Sequence, residues 1–381
     1  MDTTHPSERI DRFLAVERPA LPCIVVDLDI VRARYMALHK QFPAASIFYA
    51  VKANPAPHII AALADLGANF DLASPGEIER CRALGISAAR LSYGNTIKHE
   101  RDIAAAHAAG IDLFAFDSAP ELLKLSRAAP GARVFCRLLV RNQGAEWPLT
   151  HKFGCDQHTA IELLLRARAL GLRPVGVSFH VGSQQTDPRQ WIAPIGQAAE
   201  IFRACARDGV DLSLLNLGGG LPANYRTLIP DLAAYAETIE TALTADFGAA
   251  RPHILVEPGR HLVGDAGLMR AGVVLVAERP HPGGPRWVYL DVGRYNGLAE
   301  TQGEAIRYRL RTSRDGGETG RVILAGPSCD STDIIYERTH YELPLDLVAG
   351  DWVDFLSTGA YTASYASVEF NGFPPIRTHC I

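Results

Sequence analysis

An apolar, aromatic-rich run that ends in a single lysine decides the fold of this chain: Ser46-Ile47-Phe48-Tyr49-Ala50-Val51-Lys52-Ala53-Asn54-Pro55. The first six residues predict a buried β-strand, and Pro55 ends the hydrogen-bond ladder because it lacks an N–H. Lys52 is therefore expected at the carboxyl end of this strand. One interpretation is a desolvated amine that loses its proton easily and acts as a Schiff-base nucleophile. The alternative is a lysine whose stem is buried and whose charged head reaches water.

The composition is that of an ordinary globular protein, with 381 residues, 48% hydrophobic and 21% charged. The formal net charge is −4 and no long run of one sign occurs, so a nucleic-acid-binding face is not indicated. No apolar run approaches the ~20 residues of a membrane span. The cysteines are scattered, without a CxxC pair or a Cys/His cluster, and predict neither a disulfide framework nor a zinc site. Because the N-terminus also lacks the apolar core of a secretion signal, we expect a cytoplasmic protein.

Short apolar segments recur at intervals typical of strands that alternate with helices. They lie at 46–51, 69–72, 90–93, 113–116, 134–139, 175–179, 213–217 and 253–256. The stretches between them are rich in Ala and Leu at helical spacing, and several end in Gly, which favours the position after a helix. Eight strands alternating with helices over about 230 residues predict a (β/α)8 TIM-like barrel. A doubly wound open sheet is the alternative that periodicity leaves open.

The pattern changes after Gly259. Strand-like segments at 271–277, 287–290, 322–324 and 352–356 replace the helical spacing, which predicts a C-terminal all-β domain of sandwich or barrel type. A strand at 23–28 is expected to join this domain from the N-terminal side, and Asp29 is expected to cap the next helix. We therefore predict a barrel domain at 29–262 and a β-domain built from 1–28 and 263–381.

Polar or glycine residues stand just past the predicted barrel strands, at the end where active sites of such barrels lie. They are Lys52, Asp71, Arg137, His180, Ser183, Gly218-Gly219-Gly220, Glu257 and Arg260. Separately they have structural alternatives: a core histidine, turn glycines, a salt-bridging arginine, a helix-capping glutamate. Together, a carbonyl-trapping lysine, a bare backbone that can approach a phosphate, an arginine and a carboxylate suit pyridoxal 5'-phosphate as cofactor.

The predicted β-domain carries further reactive side chains. The turn Gly326-Pro327-Ser328-Cys329-Asp330 places a thiol beside a carboxylate, and Asp291 follows the run 287–290. The alternatives are a small buried cysteine and a plain turn aspartate. Gly359-Ala360-Tyr361-Thr362 is interpreted as the start of a strand, with Tyr361 in the core. No metal site is indicated, because His180 lacks a second His or Cys at ligand spacing.

The order of these motifs resembles that of the fold-type III pyridoxal-phosphate decarboxylases of basic amino acids, the ornithine decarboxylase group. The resemblance extends from about Pro22 to Phe373. The matching blocks are Tyr49-Ala50-Val51-Lys52-Ala53-Asn54, Phe70-Asp71-Leu72-Ala73-Ser74, Lys152-Phe153-Gly154, Phe179-His180-Val181-Gly182-Ser183, Gly218-Gly219-Gly220, Glu257-Pro258-Gly259-Arg260, Gly326-Pro327-Ser328-Cys329-Asp330 and Gly359-Ala360-Tyr361-Thr362.

The resemblance implies how the cofactor would be held. Lys52 would be the Schiff-base lysine, His180 would stack on the pyridine face, and Glu257 would bond the ring nitrogen. Asp71 and Arg137 would surround the lysine and the cofactor. The implied phosphate contacts are Ser183, Gly219, Gly220, Arg260 and Tyr361.

The resemblance also implies a catalytic acid and a substrate pocket. Cys329 is similar to the acid that returns a proton to the α-carbon after carbon dioxide leaves. Asp291 and Asp330 match acidic residues that receive the distal amine of a diamino acid. In this family Cys329 and Asp330 come from the neighbouring subunit, so we expect a head-to-tail homodimer with shared active sites.

The leading expectation for the reaction is decarboxylation of L-ornithine to putrescine. Arg294-Tyr295-Asn296-Gly297 is closer to short bacterial members, some of which also accept lysine, so lysine or dual ornithine/lysine activity is the alternative. A diaminopimelate decarboxylase would need a cation for the distal carboxylate, where this chain offers acids. An alanine-racemase-like enzyme would need a β-domain tyrosine as base, where this chain offers Cys329. A non-catalytic homologue is disfavoured, because Lys52 and Cys329 are both present.

Overall fold

A computed structural model describes residues 7–140, 143–147, 152–278 and 286–381. The contacts divide the chain into two compact units. One comprises Arg32–Pro222 and Ile229–Gly259 and is called the barrel unit below. The other, the β unit, comprises Met1–Val31, Ala223–Leu228 and Arg260–Ile381. The segment Ala223–Leu228 thus groups with the β unit, although it lies within the predicted barrel range; the predicted domain limits stay a prediction.

Strands and helices are numbered along the chain. The strands are β1 (Cys23–Val26), β2 (Ser46–Ala50), β3 (Asn69–Leu72), β4 (Leu91–Tyr93), β5 (Leu113–Phe116), β6 (Arg133–Arg137), β7 (Ala145–Trp147), β8 (Arg173–Ser178), β9 (Ser183–Gln185), β10 (Leu214–Asn216), β11 (His253–Val256), β12 (Gly267–Ala277), β13 (Arg286–Leu290), β14 (Leu310–Thr312), β15 (Thr319–Ala325), β16 (Ile334–Pro344), β17 (Trp352–Leu356) and β18 (Arg377–Cys380). The α-helices are α1 (Glu8–Glu17), α2 (Leu28–Gln41), α3 (Pro57–Asp65), α4 (Pro75–Ala83), α5 (Glu100–Ala108), α6 (Ala119–Ala128), α7 (Gln157–Ala169), α8 (Ile192–Arg207), α9 (Leu232–Phe247) and α10 (Arg260–Val263).

Eight parallel strands close into a barrel in the order β10-β11-β2-β3-β4-β5-β6-β8. Each of the eight predicted apolar segments coincides with one of them. The closure is made by β11 and β2, where Leu255 pairs with Ser46 and Val256 with Ile47. The predicted (β/α)8 barrel is therefore confirmed, and the open sheet is excluded because an open sheet leaves two unpaired edges.

Apolar side chains from alternate positions of the strands fill the barrel interior. The cluster contains Phe48, Leu113, Ala115, Phe135, Leu214 and Leu255, with Val175 packed against it. Burying one such large side chain stabilises the fold by roughly 1.5–3 kcal/mol. Since strand residues alternate between two faces, the same strands also turn apolar side chains outward to the helices. This explains why the segments read as continuous apolar runs.

The helices of the barrel unit begin and end at the expected residue types. Ser74, Asp156 and Asp231 cap α4, α7 and α9 through side-chain oxygens that accept backbone N–H groups. Gly67 and Gly110 follow α3 and α5 with φ of +87° and +90°, a conformation that glycine adopts without a steric penalty. The parallel pairing of the strands places all their carboxyl ends at one face of the barrel.

The β unit is a mixed sheet in the order β14-β17-β12-β13-β15-β16. β1 lies beside β12 and β18, so the predicted N-terminal strand does join this sheet. The four predicted C-terminal strands lie within β12, β13, β15 and β17, whereas β14, β16 and β18 were missed. A small core forms where α1 packs on the sheet through Ile10, Leu14, Cys23, Val25, Leu268 and Leu356.

The predicted cap of α2 is wrong. Asp29 lies inside the first turn, and its backbone N–H donates to Oδ1 of Asp27 at 2.9 Å. Asp27 is buried, and the Ser7 hydroxyl donates to its Oδ2 at 2.7 Å. Asp27 is therefore the residue that caps α2, and the same carboxylate also binds Ser7 of the N-terminal segment. Within the described ranges, none of the helices has the length and apolar character needed to cross a bilayer.

Candidate active site

Lys52 stands where β2 ends. The strand stops at Ala50, and a single 3₁₀ turn, Val51–Ala53, carries the lysine out of the barrel wall. The Tyr49 hydroxyl donates to the Asn54 carbonyl at 2.9 Å and fixes this turn. The Lys52 side chain is 46% exposed, which agrees with the alternative of a lysine whose charged head reaches water better than with a desolvated amine.

Asp71 is the charged partner of Lys52. Their Nζ–Oδ2 distance is 3.2 Å, and Asp71 is almost fully buried in β3, in register with Ala50. The carboxylate fits only because residue 94 is glycine: a Cβ there would lie 1.9 Å from Asp71 Oδ1. Within the described residues, Oδ1 is buried without a hydrogen-bond donor. A buried carboxylate with one oxygen on the lysine and the other without a donor among the described residues is suited to hold an amine in place.

Glu257 follows β11 at the same end of the barrel. Asn216, a buried residue at the end of β10, donates its Nδ2–H to Glu257 Oε1 at 2.5 Å. Asn216 Oδ1 in turn accepts the Gly218 N–H at 2.9 Å. Burial, and next the negative charge of Asp71, raise the pKa of Glu257 to about 7. Sequence reasoning missed Asn216, although an asparagine in an apolar strand was a usable signal.

His180 presents a neutral ring. Its Nδ1 accepts the Gly182 N–H at 3.1 Å, which places the ring proton on Nε2. Enclosure by protein, and then the cations Arg137 and Lys52, hold its pKa well below the usual range. The imidazole is therefore uncharged at neutral pH and offers a flat face for a stacked ring.

The triple glycine lets bare backbone pass beside His180 and Glu257. A Cβ on Gly219 would lie 2.7 Å from the Glu257 carbonyl and 3.2 Å from His180 Nε2. A Cβ on Gly220 would lie 2.6 Å from the Gly182 carbonyl, and this residue has φ of +108°. Only glycine fits these positions, and the resulting backbone can approach a ligand closely.

Arg137 and Ser183 complete the barrel end. Arg137 ends β6, and its guanidinium carbon lies 5.3 Å from the centre of the Phe153 ring. Burial lowers the pKa of Arg137, although Glu257 and Asp117 oppose this shift. Ser183 opens β9, directly after the His180 turn. The structure thus collects these predicted residues at the carboxyl ends of the barrel strands.

Arg260 belongs to the β unit and is engaged by protein groups. Its Nη1 and Nη2 donate to the Glu300 carboxylate at 2.8 and 2.6 Å, and Nη1 also donates to the Tyr225 hydroxyl at 2.7 Å. Its guanidinium carbon lies 4.8 Å from the Tyr361 ring centre. Sequence reasoning paired Arg260 with a phosphate and missed Glu300. The predicted phosphate contacts of Arg260 and Tyr361 stay predictions.

Cys329 and Asp330 lie on an exposed turn between β15 and β16. The Cys329 N–H and thiol approach Asn371 Oδ1 at 3.2 and 3.5 Å. Asp330 Oδ1 accepts the backbone N–H of Thr332 at 2.8 Å and its hydroxyl at 2.7 Å. These hydrogen bonds lower the pKa of Asp330, so this carboxylate stays ionised.

Asp291 faces the sheet backbone. Its Oδ1 accepts the Gly272 N–H at 2.8 Å, and burial raises its pKa to about 6. A different acid, Asp333, holds the turn 326–330, called the thiol turn below. Its Oδ2 accepts the Ser328 hydroxyl at 2.7 Å and its Oδ1 accepts the Arg294 N–H at 2.8 Å. Asp333 was missed because nothing in a single turn residue predicts contacts to two separate loops. The predicted substrate contact of Asp291 stays a prediction.

The barrel-end residues fit pyridoxal phosphate. The cofactor needs an amine for its aldehyde, a flat neighbour for its ring, an acid for its nitrogen and close-approaching backbone for its phosphate. Lys52 with the unsatisfied Asp71 oxygen, neutral His180, Glu257 and Gly219 provide these groups. No cluster of His, Cys, Asp or Glu that could hold a metal occurs among the residues that the structure describes.

Comparisons with known proteins agree with this site. Residues 28–264 match the family model described as pyridoxal-dependent decarboxylase, pyridoxal binding domain. The lysine/ornithine decarboxylase of Selenomonas ruminantium is 34% identical over 368 residues, covering 96% of this chain and 91% of that protein. The ornithine decarboxylase of Schizosaccharomyces pombe is 34% identical over 364 residues, covering 93% and 82%.

A solved structure matches over almost the full length. It is a lysine/ornithine decarboxylase from Vibrio vulnificus complexed with cadaverine, with a TM-score of 0.89 at 32% identity, covering 99% of this chain and 100% of that chain. The same protein complexed with putrescine gives a TM-score of 0.88 at 32% identity, covering 99% of each chain. The two-part architecture described above is therefore that of known decarboxylases.

Proposed function

The chain belongs to the pyridoxal-dependent decarboxylases and acts on basic amino acids, and we propose that its main reaction converts L-ornithine to putrescine and carbon dioxide. L-Lysine is proposed as a second substrate, with cadaverine as product. The relatives are named lysine/ornithine decarboxylase and ornithine decarboxylase, which supports ornithine and lysine as the two candidate substrates.

The observation that carries the proposal is the ionised Asp330 carboxylate on the thiol turn. Two hydrogen bonds from Thr332 lower its pKa, and the residue is partly exposed on its turn. An ionised acid attracts a distal ammonium group and repels a distal carboxylate. Asp330 therefore favours ornithine and lysine over diaminopimelate. Because one Asp291 oxygen is already bonded to Gly272, we assign the larger share of this recognition to Asp330.

When bound, pyridoxal phosphate supplies an electron-accepting ring that stabilises the electron pair left on the α-carbon as carbon dioxide departs. The chain's own residues hold and orient it. Lys52 offers an accessible amine to the aldehyde, and Asp71 keeps the lysine positioned at 3.2 Å. Gly219 and Gly220 present bare backbone to the phosphate.

Glu257 and His180 set the protonation at the ring. A carboxyl group with a pKa of about 7 can hold or accept a proton at neutral pH, which suits a partner for the ring nitrogen. Neutral His180 adds no positive charge beside the ring face. These two residues thus favour a ring that carries its proton on nitrogen.

Cys329 is proposed as the group that returns a proton to the α-carbon after carbon dioxide leaves. It is the exposed member of the described cysteines, and its neighbour Asp330 is proposed to hold the far end of the substrate. This places the reactive end and the recognition end of the pocket on one turn. Following the family resemblance, we propose that this turn serves the site of a second subunit in a head-to-tail homodimer.

The test is a competition among substrates. Purified protein with pyridoxal phosphate is offered equal concentrations of ornithine, lysine, arginine and diaminopimelate, and the amine products are quantified by mass spectrometry. We expect putrescine first and cadaverine second. One methylene is worth ~1–3 kcal/mol, so the ratio of the two should lie between about 10 and 200. Lysine formed from diaminopimelate as the main product would refute the proposal.

A matched variant isolates the role of Asp330. Asp330→Asn keeps the side-chain shape and removes the charge. We expect kcat/KM for ornithine to fall by about 10²-fold, because a charge-assisted contact is lost. Turnover of norvaline, which lacks the distal amine, should change little. Equal losses for both substrates would show that Asp330 acts on the fold and not on the amine.

A further inference from the structure

Asn371 contacts the thiol turn from a distant part of the chain. Its Oδ1 accepts the Cys329 N–H at 3.2 Å, and the Cys329 thiol lies 3.5 Å from the same oxygen. The two residues are 42 positions apart in the sequence. One amide oxygen therefore contacts both the backbone N–H and the thiol of Cys329, the proposed proton donor.

The loop that carries Asn371 has an unusual backbone. Asn371 has φ of +53° and Glu369 has φ of +57°, a region that non-glycine residues seldom adopt. Asparagine tolerates it better than most residues because its short side chain bonds locally. Such conformations persist where surrounding contacts over-determine them, and they cluster at functional sites.

Those surrounding contacts come from the same turn region. Phe370 packs on Tyr295 with ring centres 4.7 Å apart, and Tyr295 accepts or donates a hydrogen bond at 2.7 Å with the Thr332 hydroxyl. The Ser367 N–H donates to the Tyr295 carbonyl at 2.7 Å. Asn371 is thus held against the turn by packing and hydrogen bonds that do not involve Cys329 itself.

A thiol on an exposed turn otherwise rotates among three staggered positions. Because Asn371 Oδ1 lies within reach of the thiol, the S–H can donate to it, which selects one rotamer. Proton delivery breaks the S–H bond and forms a C–H bond at the α-carbon. The thiolate left behind then takes a proton from water. Delivery to the correct carbon depends on where the sulfur is held.

We propose that Asn371 is the positioning residue of Cys329, fixing the thiol so that the α-carbon receives its proton. The inference rests on the proposed function, in which Cys329 supplies that proton. It concerns only residues of the β unit and needs no contact with the barrel unit.

Two substitutions separate the amide from the backbone. Asn371→Gly removes the oxygen and retains the positive φ, whereas Asn371→Asp retains an acceptor oxygen. Glu369→Gly is the matched control, because it relaxes the neighbouring positive φ and leaves the acceptor intact. Thermal unfolding verifies that all three proteins fold like the parent protein.

The first readout uses cofactor-free protein. Iodoacetamide alkylation of Cys329 is followed by peptide mass spectrometry at fixed pH, which resolves it from the six other cysteines. We expect Asn371→Gly to raise the rate at least threefold, and Asn371→Asp and Glu369→Gly to stay near or below the parent rate. An unchanged or lower rate in Asn371→Gly would overturn the inference.

The second readout is the fate of each turnover in the holoenzyme. With the thiol misplaced, protonation at the wrong carbon yields an aldehyde from the substrate and the amine form of the cofactor. We expect Asn371→Gly to raise the aldehyde-to-diamine ratio about tenfold, and Asn371→Asp to restore most of the diamine. An unaltered ratio refutes the positioning role. If the parent protein releases no carbon dioxide from any basic amino acid, the proposed function fails, and the alkylation rates still decide whether Asn371 holds the thiol.

Discussion

The Lys52 ammonium and the Asp71 carboxylate lie 3.2 Å apart at the carboxyl ends of two adjacent barrel strands. The lysine is half exposed, while the aspartate is buried. The accessible amine of Lys52 thus forms an ion pair with the Asp71 carboxylate, which is buried in the barrel wall. In the proposed function this pair would hold the amine that reacts with the cofactor's aldehyde.

Gly94→Ala should weaken cofactor binding, although neither Lys52 nor Asp71 is itself replaced. A Cβ at residue 94 would lie 1.9 Å from Asp71 Oδ1, so the carboxylate cannot keep the position in which it contacts Lys52. We expect the Kd for pyridoxal phosphate to rise at least tenfold, about 1.4 kcal/mol, in an absorbance titration. Gly76→Ala is the control, since its nearest contact is 3.9 Å away. Equal affinities in the two variants would contradict this role of Gly94.

Lys52→Ala should abolish the visible absorbance of the bound cofactor and lower kcat by 10³-fold or more, because the nucleophilic amine is gone. Lys52→Arg is the informative comparison: the guanidinium can still pair with Asp71 but does not react with an aldehyde. We expect the arginine variant to retain the fold and to lack the absorbance band. A band that persists in the alanine variant would remove Lys52 from its proposed role.

Glu257→Gln should change how stability depends on pH. The pKa of Glu257 is raised to about 7 in the folded protein, from an ordinary value of 4.5. Between these values the folded state keeps a proton that the unfolded chain has released, so this group makes the protein less stable as pH rises through that window. Between pH 4.5 and 7.5, the free energy of unfolding of the cofactor-free parent protein should fall by on the order of 2 kcal/mol more than that of the variant. Urea unfolding at both pH values measures the difference, and identical pH dependence in the two proteins would show that Glu257 is not perturbed.

Cys329→Ala should bind cofactor normally and release carbon dioxide but yield little diamine. The thiol is exposed, so its loss leaves no cavity and little change in stability is expected. Product analysis should find the aldehyde in excess of putrescine. Cys329→Ser keeps a weaker acid at the same position. Its ratio of aldehyde to putrescine should lie between those of the parent protein and the alanine variant. Diamine formation at the parent rate in the alanine variant would refute proton return by Cys329.

Mixing inactive Lys52→Ala and Cys329→Ala subunits should restore activity. If each site combines Lys52 of one subunit with Cys329 of the other, a heterodimer contains one intact site and one doubly altered site. Random exchange of equal amounts makes half of the dimers heterodimers, so about a quarter of the parent activity should return. Recovery is measured after subunit exchange at several mixing ratios. No recovery, with exchange verified by native mass spectrometry, would count against a shared site.

Much of the fold could be predicted from local sequence pattern. The eight apolar segments matched the barrel strands because a parallel strand buried on both faces needs a continuous apolar run. The strand ends then located the barrel-end candidates, such as Lys52, Asp71 and Glu257, because parallel strands bring their carboxyl ends to one face. The β unit was harder: β16 mixes polar and apolar residues, and its strand character depends on its partner β15.

The sequence by itself determined the barrel, the β-sheet unit and the residue types available at the site, since these follow from periodicity and from motif order along the chain. Only the tertiary structure decided which side chains engage one another: Gly94 beside Asp71, Asn216 on Glu257, Glu300 on Arg260, Gly272 on Asp291 and Asn371 on Cys329. These partners stand 19 to 42 residues apart where their hydrogen bonds are measured. Their contacts depend on strand register and loop path, which no local window of sequence contains.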